Sequence, residues 1–131
     1  DTLRQNIVAA SKQCGRSRLM TISPVVEWAD FLKKECTGKS VVVAHPGGVP
    51  FTSSLISESL AEVAAAAKTN KSATNPEMTA VIGPEGGFSD EEISQAVSKD
   101  ARLVSLGPRL LRIETAAVMM ASVFVSARLA D

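Results

Sequence analysis

The chain has 131 residues, the size of one ordinary domain and enough to bury a hydrophobic core. Its formal net charge is zero, so total charge does not indicate a polyanion partner, and any nucleic-acid contact must come from local clusters. Two cysteines and one histidine are too few for a disulfide framework or a structural zinc site, and no stretch is apolar enough for a membrane span. We therefore expect a metal-free, intracellular protein in the cytoplasm, or in an organelle if a preceding segment carries a transit peptide.

Along the chain, sequence patterns typical of helices alternate with patterns typical of strands. Apolar residues at helical spacing predict a first helix from Leu3 to Cys14, which Gly15 ends, and Leu19–Ile22 is consistent with a short extended piece. Pro24 predicts the start of a second helix, whose apolar face comprises Val25, Val26, Trp28, Ala29 and Leu32.

Three short runs predict buried strands over residues 40–44, 79–82 and 102–106, the first of them a continuous β-branched run. Between them lie an Ala-rich helix over 55–67, a polar surface loop over 68–77 and a helix from the capping box of Ser89 and Glu92 to about Lys99. This alternation predicts one α/β domain over residues 1–131, with a mostly parallel sheet flanked by helices.

The last predicted helix, Ile113 to Leu129, is apolar on two sides. One stripe comprises Ile113, Ala116, Ala117, Met120, Phe124 and Ala127, and a second comprises Val118, Ala121, Val125 and Leu129. A single sheet can cover only one of these stripes. We expect a homodimer that uses the other stripe, the alternative being a helix that is central in a monomer.

Two glycine-bearing loops follow predicted buried strands. Their sequences are GPEGGF (83–88) and LGPRLLR (106–112), and neither fits a classical dinucleotide or triphosphate motif. Loops at the carboxyl ends of parallel strands commonly bind ligands, and glycines permit a close backbone approach. The two loops are therefore either tight structural turns or the walls of a slot for a flat polar ligand such as adenine.

These two loops, the IETA run that follows the second, and QCGR (13–16) together resemble the RsmE-type ribosomal RNA uridine-N3 methyltransferases of the SPOUT superfamily. The resemblance spans nearly the whole chain, although Leu110 and Ile113 stand where Ile and Thr are expected. It implies a deep trefoil knot, which periodicity would not suggest. It also implies S-adenosyl-L-methionine as cofactor, small-subunit ribosomal RNA as partner, and a PUA-like RNA-binding domain that is absent from this chain.

The resemblance also assigns roles to individual residues. The cofactor-binding residues would be Ile82, Gly83, Pro84, Glu85, Gly86, Gly87, Leu106, Gly107, Leu111, Arg112, Thr115 and Ala116. Gln13, Arg16 and Arg109 would bind substrate, and Arg112 and Arg16 would stabilise the uracil anion. Glu114 either accepts the uracil proton or interacts with the amino end of the last helix, and Glu85 either binds a ligand hydroxyl or holds its loop.

Three other functions remain open on sequence. A SPOUT enzyme acting on transfer RNA, at a base or a ribose 2′-hydroxyl, shares the loops. A cofactor-binding scaffold would bind without catalysis, and an unrelated α/β protein would bind a nucleotide instead. His45 and Trp28 are interpreted as structural, since no Ser or Cys nucleophile motif accompanies His45.

Overall fold

The chain folds into an α/β domain. The computed structural model describes residues 2–37, 39–67 and 78–129, so the loop predicted for residues 68–77 lies outside the described residues. The helices in these ranges are α1 (Thr2–Gln13), α2 (Trp28–Glu35), α3 (Ser53–Ala67), α4 (Asp90–Ser98) and α5 (Ile113–Leu129). The strands are β1 (Ser40–Pro50), β2 (Met78–Val81) and β3 (Arg102–Ser105).

The three described strands form one parallel sheet in the order β2-β1-β3, as the alternating pattern predicts. Val43 of the central strand pairs with Val81 on one side and with Leu103 on the other. Strand β1 is therefore hydrogen-bonded along both edges, and the carboxyl ends of all three strands lie at one edge of the sheet.

Side chains of β1 alternate between two hydrophobic layers, because successive residues of a strand point to opposite faces. Val42 packs with Ile56 of α3 and Met120 of α5, whereas Val41 and Val43 pack on the opposite face with α2 and α4. All three valines are at most 3% exposed, and complete burial of such a side chain stabilises a fold by about 1.5–3 kcal/mol. The sheet is thus covered by helices on both faces, as predicted.

Two helix termini follow their sequence signals closely. Gly15 has a φ of +66°, and the amides of Gly15 and Arg16 donate to the carbonyls of Lys12 and Ser11, which is the Schellman arrangement. At the start of α4, the Ser89 hydroxyl accepts from the Glu92 amide at 3.2 Å while the Glu92 carboxylate accepts from the Ser89 amide at 2.8 Å. Both predicted terminus signals are confirmed.

The second helix begins later than predicted. It starts at Trp28 rather than after Pro24, and Val25 is fully exposed rather than part of a buried face. Trp28 packs on Phe88 at a centroid distance of 5.4 Å and its indole N–H donates to the Glu92 carbonyl, so the helix begins at the residue that makes these tertiary contacts. Residues 19–22, predicted as a short extended piece, form no helix and pair with no described strand.

Strand β1 is longer than predicted. His45–Gly48 was expected to end it at Ala44, but Val49 and Pro50 pair again with Val104 and Ser105 of β3. Ala44 and Val49 share Val104 as a partner, so residues 45–48 form an irregular excursion from an otherwise continuous pairing.

Helix α5 has one buried face and one exposed apolar face. Met120 and Ala127 are each 2% exposed, whereas Val118 is 67% exposed. The two-sided pattern that the sequence predicts is therefore present. In the part of the chain that the structure describes, no helix has the length and hydropathy to cross a bilayer.

Candidate functional site

The two glycine-bearing loops lie at the same edge of the sheet. The first loop (residues 83–88) follows the carboxyl end of β2, and the second loop (residues 106–112) follows the carboxyl end of β3. Because β2 and β3 pair with opposite edges of β1, the loops flank the carboxyl end of the central strand. This edge is where open parallel sheets bind ligands.

The first loop is held in shape by backbone and aromatic contacts. The Gly87 amide donates to the Pro84 carbonyl at 2.8 Å, and Gly87 has a φ of +76°, which favours glycine. The Phe88 ring lies against Gly83, whose Cβ, if present, would be 2.9 Å from Phe88 Cε2. The loop is therefore packed against the Phe88 ring at Gly83, whereas its backbone is open at Gly87.

An aromatic cluster connects the first loop to α2 and α4. The Trp28 and Phe88 rings are 5.4 Å apart, and the Trp28 indole N–H donates to the Glu92 carbonyl at 3.2 Å. Trp28 is half-buried against the α2–α4 side of the sheet. The interpretation of Trp28 as a packing residue agrees with these contacts, and its packing positions the loop.

The second loop presents apolar and basic side chains outward. Gly107 has a φ of +114°, and its amide donates weakly to the Ser105 hydroxyl at 3.4 Å. Leu110 is 90% exposed and Leu111 36% exposed, unusual values for leucine side chains beside a core. Arg109 and Arg112 are exposed as well, so this loop offers both apolar surface and positive charge at one place.

The start of α5 continues the second loop. The Ala116 amide donates to the Arg112 carbonyl at 2.9 Å, which fixes the Arg112 backbone at the helix start while its side chain stays exposed. Glu114 and Thr115 are exposed in the first turn. Ala116 is only 6% exposed, so its methyl group offers little surface to a ligand in this conformation.

The remaining predicted cofactor residues fall into two groups. Ile82 and Leu106 are half-buried and pack against the core beside α5, which leaves their backbone as the part facing the sheet edge. Pro84, Glu85 and Gly86 are exposed at the tip of the first loop. A Cβ at Gly86 would meet nothing within 4 Å, so there is open space beside this backbone.

A third loop, which the motifs did not identify, lies at this edge. Residues 45–48 leave the central strand between the first and second loops, and the Gly47 amide donates to His45 Nδ1 at 3.1 Å. An Nδ1 that accepts a hydrogen bond places the proton of a neutral imidazole on Nε2, as a donor. The only available sequence signal was the position of the HPGG run directly after a buried strand.

Gln13 and Arg16 belong to a separate element. Both are exposed at the carboxyl end of α1, and neither side chain forms a hydrogen bond or ion pair with the two loops among the described residues. The structure therefore brings together the residues of the two loops and of α5, but it does not bring Gln13 and Arg16 into bonded contact with them.

Comparison with known proteins gives the family. Residues 1–125 match the family described as the RNA methyltransferase domain (Methyltrans_RNA). The chain belongs to this family. The ribosomal RNA small subunit methyltransferase E of Mesomycoplasma hyopneumoniae is 51% identical over 47 residues, which are 35% of this chain and 21% of that protein.

Two solved structures of methyltransferases share the fold. One from Legionella pneumophila, in complex with the bound cofactor SAM, has a TM-score of 0.69 and 30% identity over 95% of this chain and 44% of its own. The ribosomal RNA small subunit methyltransferase E of Neisseria gonorrhoeae, bound to S-adenosyl methionine, has a TM-score of 0.64 and 22% identity over 96% of this chain and 46% of its own. The chain spans less than half the length of each structure.

Proposed function

We propose that this chain carries the catalytic site of an S-adenosyl-L-methionine-dependent enzyme that methylates N3 of a uridine in small-subunit ribosomal RNA. The observation that carries the proposal is the position of the two glycine-bearing loops. In a chain of an RNA methyltransferase family, both loops lie at one carboxyl edge of a parallel sheet and flank the excursion of the central strand. The names of the relatives support the ribosomal RNA substrate.

The residues at this edge fit a cofactor that has a flat purine, polar hydroxyls and a charged methionine tail. Gly86 has open space beside its backbone, and so does Gly107. Leu110 and Leu111 provide exposed apolar surface for the purine, and Glu85 provides an exposed carboxylate for hydroxyl groups. The bound cofactor would supply an electrophilic methyl group on a sulfonium, which needs no metal.

The protein must then orient a uracil ring and stabilise the anion formed when N3 loses its proton. Arg112 is the first candidate for that stabilisation, because a guanidinium keeps its charge and its backbone is fixed at the start of α5. Arg109 of the same loop and Arg16 with Gln13 of α1 are candidates for holding the RNA. Glu114 is positioned two residues after Arg112 and can accept the N3 proton.

The first experiment is titration calorimetry with S-adenosylhomocysteine. We expect one site per chain in the parent and loss of binding in Gly86→Val, because the added side chain would fill the open space beside the loop. Since the Cβ of that side chain would have no protein atom within 4 Å, the urea midpoint of the variant should stay close to that of the parent. A folded parent that does not bind S-adenosylhomocysteine would contradict the proposal.

The reaction itself is tested by methyl transfer to small-subunit ribosomal RNA, with the modified nucleoside identified by mass spectrometry. We expect N3-methyluridine as the product. Arg112→Ala should keep its fold but lose at least a hundredfold in rate, because removing one preorganised charge-stabilising group typically costs about 10²–10³ in rate. A 2′-O-methyl product or activity on transfer RNA alone would favour the related transfer RNA enzymes. Cofactor binding without any product would favour a scaffold.

Two structural features complete the proposal. The resemblance to SPOUT enzymes supports a deep trefoil knot in the carboxyl-terminal part of the chain, and an experimental structure traced continuously through residues 68–77 would test it. The exposed stripe of α5 supports a homodimer, because Val118 and Val125 are 67% and 52% exposed. A monomeric mass by light scattering at micromolar concentration would contradict the dimer.

A further inference from the structure

The charges of this neutral chain are unevenly distributed. Residues 1–26 contain four basic side chains (Arg4, Lys12, Arg16 and Arg18) and one acidic side chain, that of Asp1, whereas the remaining residues contain ten basic and thirteen acidic side chains. The first acidic residue after this stretch is Glu27. The amino-terminal segment is therefore strongly cationic, although the total charge is zero.

The four basic side chains are exposed and unneutralised within the described structure. Arg4, Lys12, Arg16 and Arg18 are all exposed, and none of them forms an ion pair with a described residue. The ion pairs found among the described residues involve Lys34 and Lys39, both with Glu35. Exposed cations that form no ion pair remain available to attract an external polyanion.

Two of these cations share a groove. One face of α1 borders a shallow, largely open groove of about 530 Å³, whose lining among the described residues comprises Arg4, Gln5, Val8, Ala9 and Lys12. Arg4 and Lys12 lie two helical turns apart, about 12 Å along the axis, with the half-buried Val8 between them. The Schellman turn at Gly15 then places Arg16 directly after the helix.

We propose that this face of α1, with Arg4 and Lys12 as its anchors, binds the phosphate backbone of the substrate RNA outside the methylation site. The inference rests on the proposed function, because that function supplies an RNA as the polyanion. Cations spaced by about 12 Å along a helix fit a repeating chain of phosphates better than a single anion. Gln5 adds a neutral hydrogen-bonding group to the same groove.

The proposal is tested by fluorescence anisotropy with a labelled single-stranded oligouridine over a range of salt concentrations. Each lost phosphate contact lowers the salt slope by about 0.7 for a single strand and weakens binding about fourfold at 0.15 M salt. We therefore expect Arg4→Gln/Lys12→Gln to reduce the slope by about 1.4 and to bind about fifteenfold more weakly. Glutamine favours helices, so the fold should be unchanged.

The matched control is Lys33→Gln/Lys99→Gln, which removes the same charge from exposed positions on α2 and at the end of α4. This pair should leave the slope within about 0.3 of the parent, because neither lysine lines the groove. Equal losses in both pairs would overturn the docking surface and leave only a general charge effect. It would also be overturned if the α1 pair weakened binding to a polyglutamate peptide or to phosphatidylserine vesicles but not to oligouridine.

S-adenosylhomocysteine titration separates this inference from the proposed function. Both double variants should bind S-adenosylhomocysteine as the parent does. If all three proteins bind it and the α1 pair still binds oligouridine normally, the docking surface alone is wrong. If the parent fails to bind it, the proposed function is wrong instead.

Discussion

Gly48 is the position at which the packing between β1 and β3 leaves least room. A Cβ built on Gly48 would lie 2.4 Å from the Leu103 carbonyl carbon and from the Val104 amide nitrogen. Real Cβ contacts are essentially never shorter than 3.0 Å, so Gly48→Ala forces these backbones at least 0.6 Å apart. The Phe51 amide donates to the Ser105 carbonyl at 3.0 Å, and a displacement of that size transmitted to this bond would lengthen it beyond hydrogen-bonding distance.

The energetic cost follows from these distances. Losing the hydrogen bond from Phe51 to Ser105 costs about 1 kcal/mol, and overpacking adds about 1–3 kcal/mol. We therefore expect Gly48→Ala to lower the free energy of unfolding by roughly 2–4 kcal/mol. With a urea dependence of about 2 kcal/mol/M, the midpoint would fall by at least about 1 M.

The control is Gly86→Ala, where the added methyl group meets no atom within 4 Å, so its stability should stay within about 0.5 kcal/mol of the parent. A Gly48→Ala midpoint equal to that of Gly86→Ala would refute the inferred close approach of the two strands.

Three further changes test individual contacts. Ser89→Ala removes the acceptor for the Glu92 amide and should lower stability by about 1 kcal/mol in urea denaturation, whereas Ser94→Ala on the exposed side of α4 should raise or lower it by less than half as much. Lys39 donates to the Glu35 carboxylate and, with a smaller contribution from Thr79, holds the pKa of Glu35 below its ordinary value of 4.5. The stability that the ionised Glu35 contributes is therefore present at neutral pH. It is lost as the pH falls below 4.5 and through the lowered pKa. Urea midpoints measured with falling pH should therefore decline less in Glu35→Gln than in the parent, and parallel curves would contradict the assignment. Gly107→Ala has free space but a φ of +114°, so it should cost about 1–3 kcal/mol from backbone strain alone, and a fully stable variant would show that the loop relaxes.

Sequence patterns predicted the elements whose signals are local. The capping box at Ser89, the glycine stop at Gly15 and the bounds of α5 each depend on residues within one or two helical turns. The parallel sheet was predicted for a similar reason, because short β-branched runs alternate with helical segments. In these cases the tertiary structure and the local preference agree.

The features that the sequence did not predict depend on contacts between distant residues. The start of α2 is determined by Trp28, which packs on Phe88 sixty positions later in the chain and donates to the Glu92 carbonyl. The return of β1 to pair with β3 after Gly48 depends on Val104, which no pattern near residue 48 identifies. For this reason the loop at residues 45–48 was interpreted as the end of a strand.

The candidate site, too, could be predicted from sequence only in part. Its two glycine-bearing loops were identified by motif, but their common location follows from the strand order, in which β1 separates β2 from β3. That order also places His45 between them, so the excursion of β1 contributes a third loop to the same edge. A substitution that moves β1 against β3 should therefore affect cofactor binding as well as stability, although Gly48 has no side chain to offer a ligand.

Net charge could not decide whether the chain binds RNA, because attraction to a polyanion acts over a short distance. At physiological salt, exposed charges are largely screened beyond about 8 Å. Arg4 and Lys12 on α1 lie in a stretch with a single acidic residue, whereas the excess of acidic residues falls in the rest of the chain. A phosphate group near α1 would therefore be attracted mainly by the cations within that distance. The zero net charge of the whole chain would have little effect on its binding.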